Sequence, residues 1–221
     1  MKTRTMFLVP AIIITGYLAI SIVLHHYLFP LEKIDYASYF KPGDQLNSVA
    51  EGFNQTVVSV EGEWLDSRLV IQPHAPGPPE HVHTEFDETF TVKEGVLSVL
   101  INGEHKLIRA GESVLIPKGT AHKPFNESDH IVIVENQDGR KSFPTKFAYY
   151  LKQLYPVIDE MGKDISLLRL TLQMSVYGND MDTWIAGPPI GLQRAIRFTV
   201  APTARLLGYK NYYKPGLRVQ R

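Results

Sequence analysis

The sequence contains no cysteine among its 221 residues. This absence excludes disulfides, thiolate metal sites and cysteine nucleophiles, and it leaves the redox compartment of the protein undecided. An excess of charge is also missing, because 23 Lys and Arg balance 23 Asp and Glu. Since a basic surplus is the usual mark of a nucleic-acid-binding surface, we predict no nucleic-acid partner. The apolar fraction of 44% is typical of a packed domain with appendages rather than a disordered chain.

Charged residues are absent from the N-terminal segment between Arg4 and Glu32. Within it, residues 6–24 form a mostly apolar run whose 19 residues approach the length of about 20 that a bilayer-spanning helix needs. A cleaved signal peptide is the alternative, but bulky residues without an Ala-x-Ala site follow the run. We therefore predict an uncleaved, single-pass transmembrane anchor over residues 1–30. The basic residues near its ends favour an extracytoplasmic location for the rest of the chain.

Short apolar runs separated by Gly, Asn, Asp or Pro fill the central part of the chain. Residues 31–54 are predicted to form a connector and the first edge of a β domain. Strand-like runs such as ETFTVKEG and VLSVLING follow within residues 55–138. The Asn-Gly pair at residues 102 and 103 is typical of a two-residue hairpin turn between such strands. Closely spaced antiparallel strands of this kind predict a small β-barrel or sandwich.

Helical patterns replace the strands in residues 139–221. A first helix is expected around Pro156, where the proline predicts an interruption or a kink. The stretch DISLLRLTLQMSV alternates as a strand would, but its strong helix formers and the capping residue Asp164 favour a second helix. A third helical stretch, broken around Pro202, is expected near the C-terminus. The fold prediction is thus mainly β, with an N-terminal transmembrane helix and C-terminal α-helices.

Acidic residues are absent from residues 190–221, which contain seven basic side chains. Apolar and aromatic side chains in the same segment would form the opposite face of a helix. A basic amphipathic helix of this type can bind an anionic membrane surface. The alternative is a helix that packs on the β domain and keeps its charges in water, and the pattern alone does not decide between them.

Two of the eight histidines lie one residue apart in the stretch PEHVHTEFDETF. Alternate residues of a strand share a face, so His81 and His83 would present two imidazoles side by side. Glu88 follows where the next strand begins, and His122 starts another strand further along the chain. Three imidazoles and one carboxylate from neighbouring strands would suit Fe(II), Mn(II), Ni(II) or Zn(II) rather than Ca²⁺ or Mg²⁺.

The same residues belong to two longer patterns. In the first, Glu88 lies five residues after the His-x-His pair, and Gly95 follows seven residues later. In the second, GESVLIPKGTAHKPFN contains the complete pattern of Gly, five residues, Pro-x-Gly, two residues, His, three residues and Asn. The two stretches resemble the two motifs of the cupin superfamily. The resemblance implies a jelly-roll β-barrel with a mononuclear metal inside it, held by His81, His83, Glu88 and His122.

The remaining acids of the first stretch are expected to have no role at the metal. Glu85 and Asp87 lie between the implied ligands in the sequence, and we predict that both are solvated at the strand edge. Glu88 is therefore the carboxylate that we expect to bind the metal.

The motifs do not name a substrate, so two classes of function stay open. In the first, the chain is a membrane-anchored oxygenase or isomerase whose metal binds and activates a small molecule. In the second, the barrel captures a small ligand without chemistry, for sensing at the membrane. The complete ligand set favours the enzyme, although no dedicated acid or base is evident in the barrel. A homodimer is a further expectation.

Overall fold

A computed structural model describes residues 2–24, 27, 33–136, 141–162 and 166–212 of the chain. Strands occupy the middle of the described chain, and the longer helices lie before and after them. The helices are α1 (Lys2–Val23), α2 (Tyr36–Tyr39), α3 (Thr145–Met161), α4 (Leu167–Tyr177) and α5 (Ile190–Leu206). The strands are β1 (Gln45–Ser48), β2 (Phe53–Glu61), β3 (Trp64–Ile71), β4 (His81–Val82), β5 (Glu88–Glu94), β6 (Val96–Ile101), β7 (Glu104–Arg109), β8 (Ser113–Ile116), β9 (His122–Phe125), β10 (Val132–Glu135), β11 (Phe143–Pro144) and β12 (Trp184–Ile185).

The strands form two antiparallel sheets with an apolar core between them. The first sheet has the order β1-β2-β3-β10-β5-β8, with β11 paired to β3, and the second has the order β12-β4-β9-β6-β7. Side chains from both sheets form one buried cluster, which includes Ile71 and Val92 of the first sheet and Leu97 and Val99 of the second. The mainly β prediction is confirmed in this two-layered form.

The predicted closure of the strands into a barrel is wrong, because no ladder of paired strands joins the two sheets in the described residues. Tight turns, rather than continued strand pairing, carry the chain from one sheet to the other. Between β5 and β6, Gly95 makes such a turn with a φ of 81°. A Cβ there would lie 2.6 Å from the carbonyl oxygen of Ile131, so only glycine fits. The expected hairpin turn at Asn102 is confirmed, since Ile101 pairs with Glu104 around it.

The breaks predicted at two prolines are wrong, because both prolines lie inside continuous helices, whereas the kink predicted as the alternative at Pro156 stays a prediction. Pro156 falls within α3 and Pro202 within α5. In α3, Leu154, Tyr155 and Val157 around the proline are buried. Packing of an apolar face usually decides helix stability in proteins, and here it maintains the helix in spite of the missing backbone donor.

The helical interpretation of the DISLLRLTLQMSV stretch is confirmed by α4. The side chain of Ser166 caps the helix, because it accepts a hydrogen bond of 3.3 Å from the backbone N–H of Arg169. Asp164, which we predicted as the cap, lies outside the described residues. Buried Leu172 and Val176 of α4 pack against Ala204 of α5.

The N-terminal apolar run forms α1, as far as the described residues extend. Among those residues, no helix is both long enough and apolar enough to cross a membrane. The predicted transmembrane anchor over residues 1–30 is therefore not supported. Instead, α1 contacts α5, because the Tyr17 hydroxyl donates a hydrogen bond to the carbonyl oxygen of Thr199 and lies 3.2 Å from Thr203 Oγ1. A homodimer likewise receives no support and stays a prediction.

In the described part of the basic C-terminal segment, α5 contacts α4 and β12, but not all of its charges lie in water. Lys214, Arg218 and Arg221 lie outside the described residues. Arg197 is 8% exposed, and its guanidinium donates hydrogen bonds to the carbonyl oxygens of Gly178, Met181 and Thr183. Arg205 is equally buried. These two charges face the interior of the protein, not water or a lipid surface. The predicted membrane contact of this helix is therefore not supported.

Candidate metal centre

The four residues that the sequence predicted as ligands come together between the two sheets. His81 in β4 lies opposite His122 in β9, both in the second sheet. Glu88 begins β5 in the first sheet, and His83 lies in the short connection between β4 and β5. One ligand atom from each residue lies within 4.8 Å of the others. The three histidines are buried and Glu88 is half-buried, so this cluster could hold a divalent metal shielded from bulk water.

Backbone carbonyls fix the orientation of all three imidazole rings. A carbonyl oxygen can only accept a hydrogen bond, so each Nδ1 atom that contacts one must carry the proton. The lone pair of His81 and of His83 is then on Nε2, which is free to bind a metal. The Nδ1 atoms of His81, His83 and His122 lie 2.9, 2.5 and 3.0 Å from the carbonyl oxygens of Pro79, Asp182 and Thr120, respectively.

The electrostatics of the cluster also suit a cation. Burial, helped by the two neighbouring histidines, lowers the pKa of His81 to about 3, and burial likewise lowers that of His83. Both rings are therefore neutral at neutral pH, as metal ligands must be. Burial alone would raise the pKa of Glu88, but the hydrogen bond from His122 and the charges of the histidines lower it to about 2. The carboxylate is thus ionised.

A proton is shared where a metal would bind. His122 Nε2 lies 2.8 Å from Glu88 Oε2, and this contact requires one proton between the two atoms. Burial opposes the charged ring, but the contact with Glu88 outweighs it and raises the pKa of His122. A divalent cation would replace this proton and bind both atoms, so metal binding would release it.

One nitrogen atom of the cluster lacks a hydrogen-bond partner in the described chain. His83 Nε2 is buried and has no hydrogen bond there. Its distance of 3.7 Å to Glu88 Oε2 exceeds that of a hydrogen bond. Buried polar atoms are almost always paired, since burial without a partner is costly. A metal bound by His83 Nε2 would remove this cost, so the residues present fit a metal.

The candidate ligands form part of the wall of a large cavity. The cavity has a volume of about 600 Å³, and His81, His83 and Glu88 line it. Most of the other lining residues are apolar, and they come from both the first sheet and helices α3, α4 and α5. Phe147 of α3 is one of them, and its ring lies 4.9 Å from that of His83. The metal centre therefore faces a space that suits a small, largely apolar molecule.

Glu51 is an acidic residue of the cavity wall that the sequence did not single out. It lies in the segment predicted as a connector, yet it lines the same cavity as Glu88. Burial, and then the charge of Asp159, raise the pKa of Glu51 to about 8. Such a carboxyl group can exchange a proton near neutral pH, which is the property of a general acid or base.

The loop before β12 supports the metal centre from the C-terminal region. Its Asp182 supplies the carbonyl that orients His83, and the Asp182 carboxylate accepts hydrogen bonds of 2.7 Å from the backbone N–H groups of both Thr84 and Glu85. The same carboxylate accepts a hydrogen bond of 2.9 Å from the indole N–H of Trp184. Burial raises the pKa of Asp182, but these hydrogen bonds outweigh it and lower the pKa overall. Asp182 thus fixes the segment that contains His83.

Arg197 of α5 holds this supporting loop in place. Its guanidinium binds the carbonyl oxygens of Met181 and Thr183, on both sides of Asp182, and stacks 4.0 Å from the Trp184 ring. Burial lowers the pKa of Arg197 to about 10, so the side chain stays charged at neutral pH. The sequence carried no sign of this role, since Arg197 looked like one of several solvated basic residues.

The two acids that were predicted to have no role at the metal do not join the cluster. Glu85 and Asp87 are both exposed. Asp87 Oδ1 accepts a hydrogen bond of 2.8 Å from the backbone N–H of Lys118, which links the segment between the ligands to the turn before β9. Glu88 is the carboxylate that the structure places beside the histidines.

Comparison with known proteins identifies the family of the chain. A family model described as a cupin domain matches residues 67–134. The probable oxidoreductase virH of Hypocrea virens is 30% identical over 171 residues, which cover 69% of this chain and 76% of the relative. The chain belongs to the cupin superfamily. The match to virH extends well beyond the cupin domain itself, so the two proteins are relatives over most of their lengths.

Other matches to this cupin chain are shorter or more distant. Oxidoreductase iacF of Pestalotiopsis fici is 44% identical over 48 residues, or 21% of this chain and 24% of that relative. Among solved structures, KdgF from Halomonas sp. is 23% identical with a TM-score of 0.35, over 43% of this chain and 88% of that one. The family assignment rests on the cupin-domain match and on virH.

Proposed function

We propose that this cupin protein is a metal-dependent enzyme of the oxidoreductase class that acts on a small, largely apolar molecule. The observation that carries the proposal is the convergence of three histidines and one carboxylate, of which His81, His83 and Glu88 lie on the wall of a mainly apolar cavity. The relative virH, a probable oxidoreductase, supports the class of reaction.

The residues that would hold the metal are His81, His83 and His122 through Nε2, and Glu88 through its carboxylate. Fe, Mn, Zn and Ni all suit this set of nitrogen and oxygen donors. Once bound, such a metal supplies Lewis acidity and, for Fe or Mn, one-electron redox chemistry.

The remaining cavity residues would bind and protect the reacting molecule. Phe90, Phe143 and Phe147 belong to the apolar wall, which excludes water and strengthens electrostatic interactions at the ligands. Glu51 would give or take a proton on the same wall, because its raised pKa keeps both protonation states accessible. The fixed Nδ1 hydrogen bonds keep the three imidazoles from rotating during the reaction.

The test measures chemistry and binding separately. Purified protein is loaded with Fe(II) without air and then exposed to dioxygen with a panel of small apolar compounds that carry hydroxyl, carbonyl or carboxylate groups. Dioxygen uptake and product masses are recorded, with Glu88→Gln as the matched inactive variant and Glu85→Gln as the control. Uptake that requires Glu88 would support the oxidoreductase.

Two other results would contradict the oxidoreductase and favour the remaining possibilities that the sequence left open. A rearranged product of unchanged mass, formed without dioxygen uptake, would indicate an isomerase. Compounds that raise the melting temperature of the protein but are recovered unchanged in every case would indicate a non-catalytic binding module.

A further inference from the structure

The cavity has a second polar region, separate from the metal ligands. Besides the two histidine ligands and Arg197, four of the residues that line the cavity are polar and at least nine-tenths buried. We name them the distal polar cluster: Gln55 of β2, Ser67 of β3, Asn136 after β10 and Ser142 before β11. No charged side chain is part of the cluster, although the carboxylate of Asp66 lies directly behind it.

Hydrogen bonds within the distal polar cluster run in one direction. Gln55 Nε2 donates to Ser67 Oγ at 2.8 Å, and Ser67 Oγ donates to Ser142 Oγ at 3.2 Å. Ser142 Oγ then donates to Asp66 Oδ1 at 2.9 Å. A carboxylate can only accept, so the Ser142 proton must point towards Asp66. The hydroxyl protons of both serines are therefore used inside the cluster and do not reach the cavity.

Asn136 is the member with an unfilled hydrogen-bonding position. Its Nδ2 group donates a long hydrogen bond of 3.5 Å to Ser142 Oγ. The amide nitrogen, not the oxygen, faces Ser142, because the Ser142 hydroxyl donates its proton to Asp66 and can only accept from Asn136. Its Oδ1 atom is buried and has no hydrogen-bond partner among the described residues. A buried carbonyl oxygen without a partner is rare, because it loses its water without compensation. The position calls for a ligand group that donates a hydrogen bond.

The fold sets the separation between the distal polar cluster and the metal ligands. Strand β10 lies between β3 and β5 in the first sheet. Ser67 in β3 is therefore two strands away from Glu88 in β5, a distance of about 10 Å at ordinary strand spacing. Leu69, Phe90 and Val134 line the cavity from these three strands. A ligand that reaches both sites must have an apolar middle part.

We propose that the cavity binds an elongated, mainly apolar molecule with a metal-binding oxygen at one end and a hydroxyl or amide N–H at the other, which donates to Asn136 Oδ1. A carboxylate is excluded from the distal end, since both the Asn136 carbonyl and the Asp66 carboxylate would repel it. The inference deepens the proposed function and rests on the metal site that it assigns.

The test uses octanoate and ω-hydroxyoctanoate, whose carboxylates can bind the metal and which differ only at the distal end. Both probes are titrated into cobalt-loaded protein, and the visible spectrum of the cobalt reports binding. We expect ω-hydroxyoctanoate to bind roughly tenfold more tightly, as one hydrogen bond to a buried acceptor would give.

Two variants test whether the preference for ω-hydroxyoctanoate over octanoate depends on Asn136. Asn136→Leu removes the acceptor, so the two probes should bind this variant with equal affinity. Ser142→Ala removes the partner that orients the Asn136 amide, so it should reduce the preference for ω-hydroxyoctanoate over octanoate. This variant replaces Asn136→Leu in the test if Asn136→Leu does not fold. Glu85→Gln, at an exposed position outside the cavity, should retain the full preference.

The outcomes separate the inference from the proposed function. If cobalt binds and octanoate changes its spectrum, but the hydroxyl adds nothing or its effect survives in both variants, the inference is overturned and the metal site stands. If cobalt does not bind to the four ligands at all, the proposed function fails and the inference that rests on it falls too.

Discussion

The two sheets and the C-terminal helical region make different contributions to the candidate metal centre. The sheets and their connections supply all four candidate ligands, with His81 and His122 facing each other across paired strands. The C-terminal region supplies none, but its Asp182 carbonyl orients His83 and Arg197 holds the loop that contains Asp182. The donor atom of His83 and the carbonyl that orients its ring thus come from separate parts of the chain, and each can be tested alone.

The largest effect is expected when a donor atom of the sheets is removed. His83→Ala and Glu88→Gln should each reduce metal bound to the purified chain from close to one equivalent to near zero, because the cluster loses a ligand that the others cannot replace. Elemental analysis of protein purified with iron, manganese, zinc and nickel available measures this. Glu85→Gln is the matched control and should keep its metal; an equal loss in that variant would contradict the choice of Glu88.

A smaller effect is expected from the C-terminal side. Arg197→Gln leaves the carbonyl groups of Gly178, Met181 and Thr183 without their donor, so the Asp182 loop should loosen and metal affinity should fall by about tenfold. The unfolding free energy should fall by about 2 kcal/mol as well. Competition with a chelator and denaturant unfolding measure the two quantities.

Arg194 provides the control for this variant, because it is an exposed arginine on the same helix that shares the contact with the Trp184 ring, at 5.2 Å, whereas the carbonyl oxygens of Met181 and Thr183 accept from Arg197. Arg194→Gln makes the same change in charge and should leave metal affinity nearly unchanged. If Arg197→Gln lowers stability but not metal affinity, the C-terminal region only completes the fold, and its assigned role in orienting His83 is wrong.

The same division explains which parts of the site could be predicted from the sequence. The ligands lie in two short stretches whose spacings are set by local strand geometry, so His81 and His83 stood out at once. Asp182 contacts His83 across a separation of 99 residues, and no local spacing marks such a contact. Arg197 has no local pattern either, since its burial depends on how α5 packs.

The errors in the predicted fold have the same origin. Whether strands close into a barrel depends on pairings between distant segments, and Gly95 shows how a turn redirects the chain instead. Pro156 and Pro202 weaken a helix locally, but the packing of neighbouring residues outweighs that effect. Local sequence patterns predicted where most strands and helices lie. Tertiary packing decided whether the helices continue past their prolines and which strands pair with each other.

A pH-dependent effect is expected at Glu51, where the connector meets the cavity. Burial and the charge of Asp159 raise its pKa from 4.5 in the unfolded chain to about 8 in the folded protein. The folded state therefore holds a proton that the unfolded chain loses, so the stability from this group is complete below about pH 4.5 and is lost as the pH rises through about 8. Glu51→Gln, which stays neutral, should melt on the order of 5 °C higher than the wild type at alkaline pH.

Melting curves across this pH range test the assignment. The difference between Glu51→Gln and the wild type should grow with pH, whereas Glu85→Gln should follow the wild-type curve. Parallel curves for Glu51→Gln and the wild type would show that the Glu51 carboxyl is solvated and does not serve as a proton donor in the cavity.

The smallest effect is expected at the contact between α1 and α5, on the side of α5 that Arg197 does not use. Tyr17→Phe removes the hydroxyl that binds the Thr199 carbonyl and Thr203, so the unfolding free energy should fall by about 1 kcal/mol. Metal affinity should not change, because the variant leaves the Arg197 contacts intact. Ser21→Ala is the control, since among the described residues the Ser21 hydroxyl donates a hydrogen bond to the Tyr17 carbonyl within α1 and none to α5. If Tyr17→Phe also weakened metal binding, the position of α1 would affect the Asp182 loop through α5, and the support of the metal centre would extend to the N-terminal helix.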